Sequence, residues 1–230
     1  MEIENWKRRT RQRRGKEIME YHKIQSIFKR EEKTKKFTKE YSLPEFKFLK
    51  DNLWEFTEKI DGTNVRVMWD NGELRFGGKT DNAQMPIKLM EKLQKIFTKE
   101  KMEKVFPEGK VILYGEGFGV KIQSGGKYIQ DDVDFILFDV LIENWWLKRK
   151  SVEDIANKLD IKIVKIIGEG TLKEAVEITK KGFNSEFGNF IAEGIVLRPK
   201  VQLFSRKGDR VITKVKYKDF AETNKGVQNG

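Results

Sequence analysis

The sequence predicts an α+β fold. Short runs rich in β-branched and aromatic residues recur between turns built on Gly, Asp and Asn, as strands do. Longer segments place apolar residues at helical spacing, at 86–105 and after Ser151 and Thr171. The run Asp134–Ile142 is apolar throughout except for its acids, which suits a buried strand.

In chain order, residues 1–18 hold Lys7, Arg8, Arg9, Arg11, Arg13, Arg14 and Lys16. They read as a basic arm, or a short surface helix, able to add salt-dependent grip on a phosphate backbone. A targeting segment reads the same way. A folded pattern starts at Met19. Ile24–Arg30 alternates apolar with polar, residues 31–42 read as a charged loop, and Pro44 opens a short element with Phe46, Phe48 and Leu49. Residues 53–69 read as two strands joined at Asp61-Gly62, a hairpin signal. Asp70-Asn71-Gly72 turns into a further strand, 73–77. The loop Gly77-Gly78-Lys79-Thr80-Asp81-Asn82 allows close backbone approach to a ligand but lacks the glycine spacing of a P-loop.

One amphipathic helix is expected over 86–105, with Ile87, Leu89, Met90, Leu93, Ile96 and Phe97 on its core stripe. Strands follow at 110–116 and 134–142. Ser151 with Asp154 and Thr171 with Glu174 have capping-box spacing and start two helices, with a strand at 161–167 between them. The second helix stops at Gly182. A strand over 189–197 is interrupted by Glu193-Gly194, and the last strand spans 210–217. The expected organisation is an arm over 1–18, a single domain over 19–222 and a polar tail over 223–230.

Composition narrows the chemistry. The chain has 230 residues, enough for a sizeable core, and a net charge of +11, which favours a polyanionic partner, nucleic acid first. There is no cysteine and a single histidine, His22. Disulfides, Cys-based zinc sites and thiol nucleophiles are thereby excluded, and with His22 read as a structural residue of a basic surface segment, neither a Ser-His-Asp triad nor a multi-His metal site is expected. Acid, base and metal work falls to Asp, Glu, Lys and water. No apolar run reaches the length of a membrane span, so a soluble, cytoplasmic protein is expected.

Several otherwise apolar strands carry an ionisable residue beside a glycine: Lys59 with Asp61-Gly62, Glu116 between Gly115 and Gly117, and Glu193 before Gly194. Lys214 and Lys216, two apart, share a strand face. Each alone is equally a surface charge. Together they suit a nucleoside triphosphate with a divalent metal, the lysines meeting phosphate oxygens and the carboxylates meeting hydrated metal or ribose. A lysine attacks only as the neutral amine, a form that burial or neighbouring cations favour.

These segments, in this order, resemble the covalent nucleotidyltransferase superfamily of ATP-dependent ligases and mRNA capping enzymes, and within it the bacteriophage RNA ligase 2-like group. Lys59-Ile60-Asp61-Gly62-Thr63-Asn64 is similar to the nucleophile motif, whose lysine becomes lysyl-AMP. Tyr114-Gly115-Glu116-Gly117-Phe118-Gly119 resembles the motif whose glutamate contacts ribose. Asp134–Val140 resembles the motif whose aromatic stacks on adenine, with Phe135 the best match. Ala192-Glu193-Gly194-Ile195-Val196-Leu197 resembles the metal-associated motif, and Lys214-Val215-Lys216 the one that contacts the α-phosphate.

The resemblance implies a nucleotidyltransferase domain of antiparallel sheets and packed helices, without a C-terminal OB-fold. It implies Lys59 as nucleophile, with Glu58, Ile60, Asn64, Lys79, Glu116, Phe135, Glu193, Lys214 and Lys216 holding the nucleotide. Glu193 and Glu116 would meet Mg2+ or Mn2+ through water. ATP is the implied AMP donor, and the implied substrates are RNA ends, in nicked duplex RNA or an RNA/DNA hybrid, acted on by a monomer. DNA ligation, GTP-dependent capping and non-catalytic RNA binding on the same fold are the alternatives. Lys79 stands where the family usually has arginine, and a lysine lacks the bidentate fork.

Overall fold

The structure is a computed structural model that describes residues 20–220. The expected arm 1–18 and tail 223–230 lie outside the described residues. The chain folds as two compact units. One contains Gly62–Ile163 with the segment ending at His22, and the other contains Lys23–Asp61 with the chain from Val164 onward.

The strands are β1 (Gln25–Ser26), β2 (Phe28–Arg30), β3 (Phe37–Tyr41), β4 (Trp54–Glu58), β5 (Thr63–Asp70), β6 (Glu73–Gly77), β7 (Lys110–Gly119), β8 (Val133–Ile142), β9 (Trp145–Trp146), β10 (Lys162–Ile163), β11 (Ile166–Gly170), β12 (Gly194–Pro199) and β13 (Thr213–Lys216). The Gly62–Ile163 unit is built on a six-stranded sheet ordered β10-β8-β7-β5-β6, with β9 beside β8. All its pairings are antiparallel except β10 with β8. Strand alternation divides its faces. Val65, Val67, Trp69, Val111, Leu113, Phe135, Leu137 and Val140 join one core, covered by Leu89 and Leu93 of helix Ile87–Ile96 and by Val152, Ile155 and Ala156 of helix Arg149–Leu159. The opposite face carries Asn64 across from Glu116 and Arg66 across from Tyr114.

The second unit holds the sheet β1-β13-β12-β4-β11, antiparallel except for β1 with β13. Trp54, Phe56, Ile195, Leu197 and Val215 form its core with Ile27, Phe46 and with Leu172 and Ala175 of helix Leu172–Lys181. The other face carries Thr57 opposite Val196 and Glu55 opposite Arg198, with Lys214 also level with Val196.

Several expectations change. The strands flanking Asp61-Gly62 do not form a hairpin: β4 pairs with β12 and β11, whereas β5 pairs with β7 and β6. The Lys59 N–H donates to the Gly194 carbonyl at 2.9 Å, so the chain is committed to a different partner before the Asp-Gly step. Gly62 is needed for close packing, since a Cβ there would lie 2.3 Å from the Gly117 carbonyl oxygen. The true hairpin is the next one, β5–β6, turning through Asn71 (φ 46°) and Gly72 (φ 94°), both in the left-handed region this tight turn needs.

The charged stretch 31–42 contains β3, which pairs with β2 because Phe37 and Tyr41 pack their rings against Phe28. The helix over 86–105 is two, Ile87–Ile96 and Lys99–Val105. Thr98 breaks it by taking an extended conformation and accepting the Lys101 N–H as a new N-cap. Ile87 is exposed rather than core. Ser151 lies inside helix Arg149–Leu159 and does not cap it, whereas Thr171 and Glu174 form the full capping box. The stretch 161–167 splits into β10 and the start of β11, which belong to different sheets. No described helix is long and apolar enough to cross a membrane.

One surface pair makes a pH prediction. Lys92 donates to Asp132 at 2.9 Å, and this bond, aided by the Val133 N–H, holds the Asp132 carboxyl at about 2 rather than 3.8. A depressed carboxyl stabilises the fold above its unfolded value, and that contribution is lost as pH falls through the folded value. The stability gap between wild type and Lys92→Met should be full above about pH 4 and closed near pH 2. Urea titrations across that range check it; a gap that widens on acidification would refute it.

Candidate active site

The candidate residues fall into two groups, one in each unit. In the unit built on β4, β12 and β13, the alternation that buries Trp54 and Phe56 puts Lys59 on the opposite, polar side of the sheet. Its Nζ donates to Glu193 Oε2 at 2.7 Å and to the Ile60 carbonyl at 3.3 Å. The other oxygen of Glu193, Oε1, is 2.5 Å from Lys216 Nζ. One carboxylate thus bridges two amines. All three side chains are only partly accessible, at 19%, 10% and 22% for Lys59, Glu193 and Lys216. Lys214 lies two residues before Lys216 with the same partly buried character, while Thr213 and Val215 between and beside them are buried.

Backbone geometry fixes this arrangement. Gly194 is directly opposite Lys216. A Cβ on Gly194 would lie 2.1 Å from the Val215 carbonyl oxygen and 2.7 Å from Lys216 Cα. Only glycine allows β12 to approach β13 this closely, and the approach brings Glu193 to Lys216. The Tyr217 N–H closes the register on the Glu193 carbonyl at 2.9 Å.

Two sequence-predicted neighbours of Lys59 point elsewhere. Glu58 faces the core side, 4% exposed, and accepts from Ser185 Oγ at 2.5 Å and from the Glu186 N–H at 2.9 Å. This corrects its expected place among nucleotide contacts, because adjacent residues of a strand point to opposite faces. Ile60 is buried, and its carbonyl faces the Lys59 amine.

In the Gly62–Ile163 unit, Glu116 and Asn64 lie side by side on the polar sheet face. Asn64 Oδ1 is buried with no hydrogen-bond partner, an atom that a donor such as a ribose hydroxyl would satisfy. Phe135 is on the other face. It pairs with Gly117 rather than Glu116, is 1% exposed and meets Phe97 edge-on at 5.3 Å. Its expected role against a base is corrected by that burial: it is a core residue. The aromatic of β8 on the Glu116 side is Phe138, placed there by the bulge where Tyr114 pairs with Asp139 but Gly115 with Leu137. Tyr21 reports the side, since its ring packs against both Tyr114 and Phe138 at 5.1 Å, and its hydroxyl donates to Asp139 at 2.6 Å.

Lys79 is exposed, on the loop after β6. The loop is held by Arg66, whose guanidinium is fully buried and donates to the Gly78 carbonyl at 2.7 Å and to Asp81 at 2.8 Å. Arg66 is a further residue of this site that its motif does not mark, although an arginine inside the apolar run Val65–Trp69 is a signal. Nothing in the sequence marked Ser185.

The donor set fits a triphosphate better than a bare metal. Lys59, Lys214 and Lys216 supply cations for phosphate oxygens. Among the described residues no group of three acidic or imidazole side chains could enclose a metal ion, and both oxygens of Glu193 already face amines. A magnesium-like ion keeping most of its waters and carried by phosphates needs no such cage.

No curated protein matches the chain. Among solved structures, a Naegleria gruberi RNA ligase variant with ATP and Mn aligns with a TM-score of 0.63 and 17% identity, over 79% of this chain and 54% of that one. The Naegleria gruberi RNA ligase with PPi aligns at 0.61 and 20% identity, over 80% and 55%. An apo variant aligns at 0.67 and 14% identity, over 90% and 58%. The chain therefore spans little more than half the length of these ligases, and likeness at such identity speaks to fold. The family model described as RNA ligase matches residues 52–216, from just before β4 to the end of β13. By that match, the chain belongs to the RNA ligase family.

Proposed function

We propose that this chain is an ATP-dependent RNA ligase that joins 3′-hydroxyl to 5′-phosphate ends, with residues 19–222 as its adenylation domain. The observation that carries the reading is the Lys59–Glu193–Lys216 bridge in a chain of the RNA ligase family. Lys59 Nζ, as the free amine, bonds to the α-phosphorus of ATP while the bond to the β-phosphate oxygen breaks and pyrophosphate leaves. A 5′-phosphate oxygen of RNA then attacks the lysyl phosphorus, breaking the N–P bond and restoring Lys59. Finally the 3′-hydroxyl oxygen attacks the activated 5′-phosphorus and AMP departs.

Lys214 and Lys216 offset the charge that develops on phosphate oxygens, and Glu116 and Asn64 orient the ribose. Glu193 keeps a proton-accepting oxygen 2.7 Å from the Lys59 amine. A divalent cation, when bound with ATP, would neutralise phosphate charge, with Glu193 beside the lysines able to meet it through water. The substrates are RNA ends, nicked duplex RNA or RNA/DNA hybrid among them, acted on by a cytoplasmic monomer.

Incubation with labelled ATP or GTP and Mg2+ or Mn2+, followed by a denaturing gel, tests the reading. Label on the protein from ATP alone is expected. Label from GTP alone would point to a capping enzyme, and none under any metal would point to a binding module.

The base contact belongs to Phe138 in this reading. Phe138→Ala should raise the ATP concentration for half-maximal labelling about tenfold, in keeping with a base–aromatic stack of about 1–3 kcal/mol. Phe135→Ala should instead destabilise the fold by about 3–5 kcal/mol. Labelling curves and urea titrations of both variants decide it, and the reverse pattern would return the role to Phe135.

A further inference from the structure

Glu58 is a buried carboxylate with no part in the mechanism above, one residue from the nucleophile. Its two oxygens have separate partners: Oε1 takes the Ser185 hydroxyl at 2.5 Å and Oε2 takes the Glu186 N–H at 2.9 Å. Ser185 is itself buried, and its Oγ also accepts the Phe187 N–H at 3.1 Å. Both groups belong to a loop that closes on itself. The Ser185 N–H donates to the Phe190 carbonyl at 2.8 Å, and the Ala192 N–H donates to the Phe183 carbonyl at 2.9 Å. The residue after Ala192 is Glu193. The end of β4 and the residue after it therefore grip this segment on both sides of Glu193, by Glu58 on Ser185 and Glu186 and by the Lys59 N–H on the Gly194 carbonyl.

We infer that Glu58, acting through Ser185, is a positioning residue: it fixes the loop that ends at Glu193 and thereby the Lys59–Glu193 pair, without touching the nucleotide. The inference rests on the ligase reading. Removing the carboxylate leaves the buried Ser185 hydroxyl and the partly buried Glu186 N–H without their acceptor, and the loop must shift to satisfy them. A shift of about an ångström at a catalytic pair is enough to slow chemistry by up to about a hundredfold. The phosphate-facing Lys214 and Lys216 sit on β13, outside the loop, so affinity for ATP stays.

The experiment is single-turnover labelling of the protein by ATP, at varied ATP, for wild type, Ser185→Ala, Glu58→Gln and Glu58→Ala, with GTP as a competing donor. Melting curves establish that each variant is folded. Ser185→Ala and Glu58→Gln should each lower the maximal rate about tenfold and Glu58→Ala about a hundredfold. The ATP concentration for half-maximal rate should stay within about twofold and preference for ATP over GTP unchanged, since neither follows from loop placement. Ser185→Ala at the wild-type rate, or Glu58→Gln with altered nucleotide preference or weakened ATP binding, overturns the inference and makes Glu58 a base contact. If the Glu58 variants do not fold, Ser185→Ala decides alone. Wild type that takes no label overturns the ligase reading, and this inference with it.

Discussion

Lys59→Ala is expected to abolish transfer of AMP to the protein, by at least about a thousandfold, because in the proposed reaction the substitution removes the attacking atom itself. No neighbour can take its place. Lys216 faces the other oxygen of Glu193, and Lys214 is on β13, across β12 from the Lys59 strand. The fold should be indifferent. The lysine side chain retains 19% exposure, and Glu193 keeps Lys216 as a counterion after truncation. A denaturing gel after incubation with labelled ATP reads the loss, and circular dichroism confirms an intact fold. The variant should still join RNA supplied with a pre-adenylated 5′ end, since that step breaks no bond to Lys59. Label persisting on the folded variant would assign the nucleophile elsewhere.

Gly194→Ala is the second large effect, and it acts on the backbone. The new methyl would lie 2.1 Å from one main-chain atom of β13 and 2.7 Å from another. No side-chain rotamer relieves a clash with backbone, so β12 and β13 must separate where Gly194 meets Lys216. The expected loss is on the order of 3 kcal/mol or more, at the severe end for single substitutions. Labelling should fall as well, because separation draws Glu193 from Lys216. Urea denaturation measures the first and the ATP assay the second. Stability within about 1 kcal/mol of wild type would show that the strands yield more easily than their packing implies.

Local chemistry made much of this legible. The Asn71-Gly72 hairpin, the Thr171 capping box and the Gly182 helix stop follow from short-range rules that tertiary structure left alone. So did the shared face of Lys214 and Lys216, which needs only strand periodicity. Asp61-Gly62 misled because a turn dipeptide says nothing about which strands will pair: β4 pairs with β12, far along the chain, whereas β5 joins a different sheet with β6 and β7. Phe135 and Phe138 were indistinguishable by motif: a one-residue bulge opposite Tyr114 and Gly115 decides which faces Glu116. Such a bulge leaves no mark in the sequence. Glu58 was expected among the nucleotide contacts by resemblance, yet neighbouring residues of a strand point to opposite faces. Ser185 was invisible because its role depends on a contact 127 residues away in sequence.

Glu193 has a consequence for how a triphosphate would dock under the proposed function. Its carboxylate lies against two amines before any phosphate arrives, so it acts as a built-in counter-anion. Docking of a triphosphate is then an exchange of one anion for another rather than neutralisation of bare cations. Fewer mobile salt ions are released in an exchange than three lysines would suggest, and the affinity for ATP should fall only gently as salt is added. Glu193→Gln removes the resident anion and should make that dependence steeper, even as it slows chemistry; equal slopes in titrations of ATP at several salt concentrations would refute the exchange.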